Sequence, residues 1–140
     1  TYSRPTKDKT AEFFEVCKAL ADYVFLDCAS SLDDPLSVYG MAAADKAVQL
    51  VTPDIRSAAY YASFEKTYEQ IKGKSIGVIN ITDKDLYLPV GEVKAGFANA
   101  KYILPYSMYL KQQYITGELT HKIPDQKFSA VCRGIAGAVL

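Results

Sequence analysis

The sequence predicts an α/β protein: a mostly parallel sheet with helices on both faces. Two observations predict it. Four short apolar runs of strand length, at 23–27, 46–51, 75–81 and 102–105, alternate with stretches of helical periodicity. These runs are near-continuously apolar, as in strands buried on both faces of a parallel sheet.

Each element has its own signal. Residues 8–21 read as an amphipathic helix, with Phe13, Cys17, Leu20 and Ala21 on one face and Lys9, Glu12, Glu15 and Lys18 on others. Asp22 ends it, and the strand 23–27 follows at once. Residues 30–35 are a looser segment before a short helix at 36–44. Lys46-Ala47-Val48-Gln49-Leu50-Val51 is the second strand. Thr52-Pro53-Asp54 starts a helix, with Thr52 as cap, Pro53 at the first helical position and Asp54 complementing the dipole. That helix is expected to run to about Lys72, with Gly73 as its stop and Ala58, Ala62, Phe64, Tyr68 and Ile71 as its packed stripe. Residues 75–81 are the third strand, 90–97 a short helix and 102–105 a fourth strand. A helix at 108–115 stops at Gly117. Pro124 precedes a last helix at 126–139, whose apolar face is Phe128, Val131, Cys132, Ile135 and Val139.

The 140 residues suit one α/β domain, 1–140, with a sizeable core. Hydrophobic residues make up 49 % and charged residues 23 %, which excludes a disordered composition. Sixteen basic residues balance sixteen acidic ones, so charge gives no indication of nucleic-acid binding. No apolar run approaches the roughly 20 residues of a transmembrane helix. The chain starts without Met and without an apolar leader core, as expected of a processed chain or a fragment. Three cysteines, an odd number with no CxxC pair, argue against a disulfide framework and for a cytoplasmic location.

Right-handed crossovers place the carboxyl ends of parallel strands along one rim. Asp27, Thr52, Asn80 and Pro105 would then become neighbours. An apolar strand running into Asp27 is how nucleotide-binding α/β proteins present a carboxylate to a metal-bound phosphate. Mg²⁺ prefers such oxygen ligands and keeps several waters, so Asp27 would hold it directly or through water. A strand-end Asp also caps loops, and that reading stands beside the first. Asn80 offers a donor and an acceptor suited to the polar edge of a base, while Asn80-Ile81-Thr82-Asp83 is equally a turn sequence. Pro105 and Tyr106 either wall a base pocket or simply end a strand. Ser30, Ser31, Asp33 and Asp34 have the composition of a switch loop and of an ordinary solvent loop. Arg56 and the single histidine, His121, read as surface residues. Cys28 reads as an inert thiol, because the neighbouring Asp27 charge opposes thiolate formation. Tyr60, Tyr61 and Tyr68 read chiefly as packing against the sheet. No Gly-rich phosphate loop ending in Lys-Ser or Lys-Thr is present.

Four segments, in order, resemble a known family. Asp27-Cys28-Ala29-Ser30-Ser31-Leu32 is similar to an Asp-Cys-Pro-Pro-Ser-Leu element. Ala43-Ala44-Asp45 followed by the apolar 46–51 run, Gly77-Val78-Ile79-Asn80, and Leu104-Pro105-Tyr106 with Gly117 complete the set. Together they resemble the C-terminal half of a ParA/MinD-type (deviant Walker, SIMIBI class) P-loop ATPase, over roughly residues 10 to 120. The resemblance implies a three-layer fold and a chain that is the C-terminal part of a larger ATPase-like domain. It implies Mg-ATP or Mg-ADP as cofactor, bound only with a phosphate loop supplied upstream and not tightly by this chain alone. It assigns Asp27 to the metal and Asn80, Pro105 and Ser31 to the nucleotide, with no catalytic residue identified. It implies nucleotide-controlled association with a protein partner or a second copy, in positioning, partition or secretion-pilus assembly. The sequence departs from the family pattern in three ways. The phosphate loop is absent, Ala29 and Ser30 stand in place of the prolines, and no glycine occurs in 28–34. These departures favour an alternative: a non-catalytic protein-interaction domain of the same fold that has lost its phosphate loop.

Overall fold

A computed structural model describes residues 6–29, 34–85, 88–97, 99–118 and 122–140. The protein is mixed α/β, with a three-stranded parallel sheet and seven α-helices among the described residues. The chain divides into two compact units, Thr1–Asp45 and Lys46–Leu140.

The first unit holds α1 (Lys7–Leu20) and α2 (Pro35–Ala43), which pack on each other. Thr6 caps α1 by accepting from the Lys9 N–H. The buried residues of α1 are Thr10 and Phe14, whereas Phe13 and Leu20 of the expected stripe are exposed. Burying Thr10 is tolerable because its hydroxyl donates to the Thr6 carbonyl at 3.0 Å. Asp34 caps α2, with Pro35 in its first turn, where a missing N–H costs nothing.

The expected first strand is a correction. Residues 23–27 are neither strand nor helix and pair with no ladder among the described residues. Tyr23 and Phe25 are exposed. An apolar run is only a candidate strand, and without a neighbour to complete its hydrogen bonds it does not become one. Four expected strands are therefore three, and Asp27 does not stand at the mouth of a sheet strand.

The second unit carries the sheet, in the order β1 (Ala47–Val51), β2 (Ser75–Asn80), β3 (Ala100–Leu104), all parallel. β2 is central, and Ser75 to Ile79 are buried as a continuous run, with Val78 and Ile79 at 0 % exposure. Between β2 and β3 the register shifts at Gly77/Val78, where Gly77 pairs with Ala100 and Val78 with Tyr102. Gly77 is dictated by this site, since a Cβ there would lie 2.6 Å from the Asn99 backbone.

The helix expected from Pro53 to Lys72 is broken. It forms α3 (Ile55–Ser63), α4 (Glu65–Glu69) and a 3₁₀ turn at Lys72–Lys74. Its N-cap is Asp54 rather than Thr52. The break falls at Phe64 (φ −116, ψ 14), next to Ser63, whose hydroxyl bonds back to the Ala59 carbonyl, a contact that bends helices. Tyr61 stacks on Tyr68 across the break, with ring centroids 5.4 Å apart, and meets Phe97 edge-on at 4.6 Å.

α5 (Val90–Gly96) packs on β2 and α3 on β1. Val51, Ile79, Val93 and Phe97 form the core cluster, each side chain contributing roughly 1.5–3 kcal/mol on burial. α6 (Met108–Thr116) ends at Gly117, whose φ of 74 is the left-handed conformation that glycine adopts freely. α7 (Gln126–Val139), capped by Asp125, packs on β3.

Candidate functional site

The carboxyl ends of the three strands share one rim of the second unit. Val51 pairs with Ile79 and Asn80 with Leu104, so Thr52, Asn80 and Pro105 follow in adjacent positions. The Ile81 N–H donates to the Leu104 carbonyl at 3.0 Å and holds the two outgoing loops together just beyond the sheet. Asn80, Pro105 and Tyr106 are partly exposed on this rim.

Two further residues belong here that the sequence did not single out. The Lys84 ammonium lies 5.8 Å from the centre of the Tyr106 ring, a cation–π contact bridging the β2 and β3 loops. Ser107 is the N-cap of α6, yet its buried hydroxyl has no hydrogen-bond partner. Neither has a sequence signal, because a lysine in a polar loop and a serine before a helix are both commonplace. Asp83 accepts from the Lys84 N–H at 2.7 Å, a contact local to the loop.

At the β1 end, Asp54 is tied into a local knot. It accepts from the Ser57 N–H at 2.8 Å and from the Thr52 hydroxyl, while the Thr52 N–H donates to Ser57 Oγ at 3.1 Å. The Thr52 hydroxyl and the α3 backbone hold its carboxyl below the ordinary value. Arg56 is exposed.

Asp27 lies in the first unit. It is exposed and lines a shallow cavity of about 300 Å³ with Phe14, Cys28, Asp34 and Ser37. Ser37 is the pivot of this cavity: its hydroxyl donates to Asp34 and accepts from the Ala29 N–H at 2.8 Å. The segment after Asp27 is thereby fastened to the first turn of α2. Burial, and then the Asp27 charge, push the Cys28 thiol upward, as expected from the sequence. No group of three or more metal-ligating side chains occurs among the described residues. Ser31 and His121 lie outside the described residues.

The structure thus joins Asn80 and Pro105 on one rim. No known protein family, curated protein or solved structure matches this chain. No described helix is long and apolar enough to cross a membrane.

The rim presents an amide, a cation over an aromatic ring and strand-end backbone. Such a set can receive the flat, polar edge of a small molecule through Asn80 and an apolar face through Pro105 and Tyr106.

Proposed function

We propose that this chain is the C-terminal portion of a nucleotide-binding ATPase domain of the ParA/MinD type. The observation that carries the reading is the pairing of Asn80 with Leu104, which brings Asn80 and Pro105 together at the carboxyl rim of a parallel sheet. On this reading Asn80 and Pro105 border the base. Asp27 and Ser31 serve the metal and the nucleotide, and the phosphate-gripping lysines come from upstream sequence. Mg²⁺ held near Asp27 would supply charge neutralisation at the phosphates, and any reaction would be hydrolysis by an activated water. The output would be a nucleotide-controlled protein association. Alternation along β2 supports the three-layer arrangement this reading needs. Ile79 joins the cluster with α5, while its neighbour Val78 pairs with Tyr102, which reaches α7.

A second reading, a non-catalytic interaction domain of the same architecture, is favoured by one observation: the segment leading to Asp27 is not a sheet strand. Isothermal titration with Mg-ATP separates the two. The 140-residue chain is expected to bind very weakly or not at all. A polypeptide extended upstream into Lys-Gly-Gly-x-Gly-Lys-Thr is expected to bind and hydrolyse, with Asn80→Ala weakening binding and Asp27→Ala abolishing turnover. An upstream reading frame without that motif, or unimpaired turnover in Asp27→Ala, removes the ATPase reading.

A further inference from the structure

A cleft of about 170 Å³ lies in the second unit, between α3–α4 and α5. α3 and α4 belong to the crossover from β1 to β2, and α5 belongs to the crossover from β2 to β3. Side chains of both crossovers meet in the core cluster over the sheet. The floor of the cleft is Val51, Val93 and Phe97, all buried. Its lips are Ala62 and Gly96, both exposed and too short to close over that floor. Floor and walls all come from residues 51–97, so the cleft is complete within one continuous stretch of chain. One ionised side chain lines it, Glu65, in the first turn of α4. The neighbouring Glu69 is paired with Lys72 at 2.8 Å, whereas Glu65 has no ion-pair partner among the described residues. Tyr61 also lines the cleft. Burial raises its hydroxyl above the ordinary value, and the charge of Glu65, then that of Glu69, raises it further, so the Glu65 carboxylate is felt at the cleft wall. An apolar floor selects a ligand by size, and a single uncompensated carboxylate selects it by sign.

We propose that this cleft binds a small aliphatic amine as its ammonium ion, with the carbon chain on Val51, Val93 and Phe97 and the nitrogen at the Glu65 carboxylate. A cavity of about 150 Å³ holds benzene, so the cleft suits a chain of about five carbons. The three charge types of such a chain separate cleanly. A neutral alcohol gains from burial of its carbons alone. The ammonium ion gains the same burial and the attraction of Glu65, and a carboxylate of equal length is repelled. The site shares no residue with Asn80, Pro105 or Asp27, so it stands or falls apart from the nucleotide reading.

Amide NMR spectra of the isotopically labelled 140-residue chain, titrated with n-pentylammonium chloride, 1-pentanol and sodium pentanoate, test this. The ammonium ion is expected to bind at one saturable site with a Kd of the order of millimolar, moving the amides of Glu65, Gly96 and Phe97 most. The alcohol is expected to bind about fivefold more weakly, and the carboxylate not measurably. Glu65→Gln should bring the ammonium ion down to the affinity of the alcohol and leave the alcohol unchanged, a split that a merely structural role for Glu65 would not produce. Ala62→Leu, which places a bulky side chain across the cleft from an exposed position, should abolish binding of both while the spectrum away from the cleft stays that of the folded protein. No saturable shift at the cleft with any probe overturns the proposal. Equal affinity for the ammonium ion and the alcohol, or wild-type binding by Ala62→Leu, also overturns it. Nα-acetyl-lysine amide is the last probe. Tighter binding of it than of pentylammonium would overturn the small amine as occupant and assign the cleft to a lysine side chain of a protein partner.

Discussion

The Tyr102 hydroxyl donates to the Gly134 carbonyl at 2.9 Å, and a Cβ on Gly134 would lie 3.0 Å from the Tyr102 ring. One residue of β3 therefore both fastens α7 and sets how closely it approaches. Tyr102→Phe removes the bond but keeps the ring, and is expected to cost about 1 kcal/mol. Gly134→Ala is expected to cost a similar amount by pushing the ring aside. Because both changes act on one contact, the double variant should lose less than the sum of the singles. Thermal melts of the four proteins measure the cycle, and strict additivity would place the two residues in independent environments.

Gly77 and Gly91 make a matched pair. A Cβ at Gly77 would meet the Asn99 backbone carbon and oxygen at 2.6 Å, whereas nothing lies within 4 Å of one at Gly91. Backbone cannot rotate aside as a side chain does, and the Gly77 N–H is itself bonded to the Asn99 carbonyl at 2.9 Å. Gly77→Ala is expected to destabilise by more than about 2 kcal/mol, with loss of cooperative unfolding an acceptable extreme. Gly91→Ala, inside α5, is expected to be neutral or to stabilise by up to about 1 kcal/mol. Denaturant midpoints decide, and equal effects at both positions would contradict the tight β2–β3 junction.

Much of this architecture is legible in the chain itself. The runs at β1, β2 and β3 are apolar and bounded by turn residues, and a strand with neighbours on one or both sides follows from them. Gly117 and Pro124 announce the end of α6 and the start of α7 because their signals are local. What could not be read is whatever depends on a partner. Tyr23 to Leu26 carries the same signal as β2, yet no ladder among the described residues completes it. On α1 the expected Cys17 is half-buried, but Phe14 and not Phe13 shares its face, together with Thr10, which is polar by composition yet satisfies its own hydroxyl on the Thr6 carbonyl and so can be buried. Asn80 and Pro105 were found on one rim because parallel topology alone brings strand ends together. Lys84 beside Tyr106 was not, since a contact between two loops leaves no periodic trace.

Asp54 is expected to carry the start of α3. Its carboxylate accepts from the Ser57 N–H and the Thr52 hydroxyl, so Asp54→Ala is expected to cost about 1 kcal/mol near neutral pH. Its pKa is lowered in the folded protein by those same bonds. The stabilisation is therefore fully present above the ordinary value of 3.8 and is lost as pH falls through the lower folded value. Urea midpoints of the wild type and Asp54→Ala, followed from pH about 6 downward, should differ by a constant amount and then converge below the ordinary carboxylate range. A gap that persists unchanged in strong acid would mean that the charge on Asp54 contributes nothing.

Asp27 and Cys28 offer a test of whether the first unit holds a metal at all. Burial raises the Cys28 thiol first and the adjacent Asp27 charge raises it further, while burial alone raises Cys132. Removing the charge in Asp27→Asn should lower the Cys28 value and speed its alkylation by iodoacetamide, with Cys132 unchanged as the internal reference. A cation seated on Asp27 would do the same thing electrostatically. Millimolar Mg²⁺ should then accelerate Cys28 in the wild type and leave Asp27→Asn unaffected, read by peptide mapping at each cysteine. Should Mg²⁺ leave Cys28 unchanged while Asp27→Asn speeds it, the carboxylate senses the thiol but does not hold the ion in this chain. The metal role of Asp27 would then depend wholly on phosphates delivered by upstream sequence.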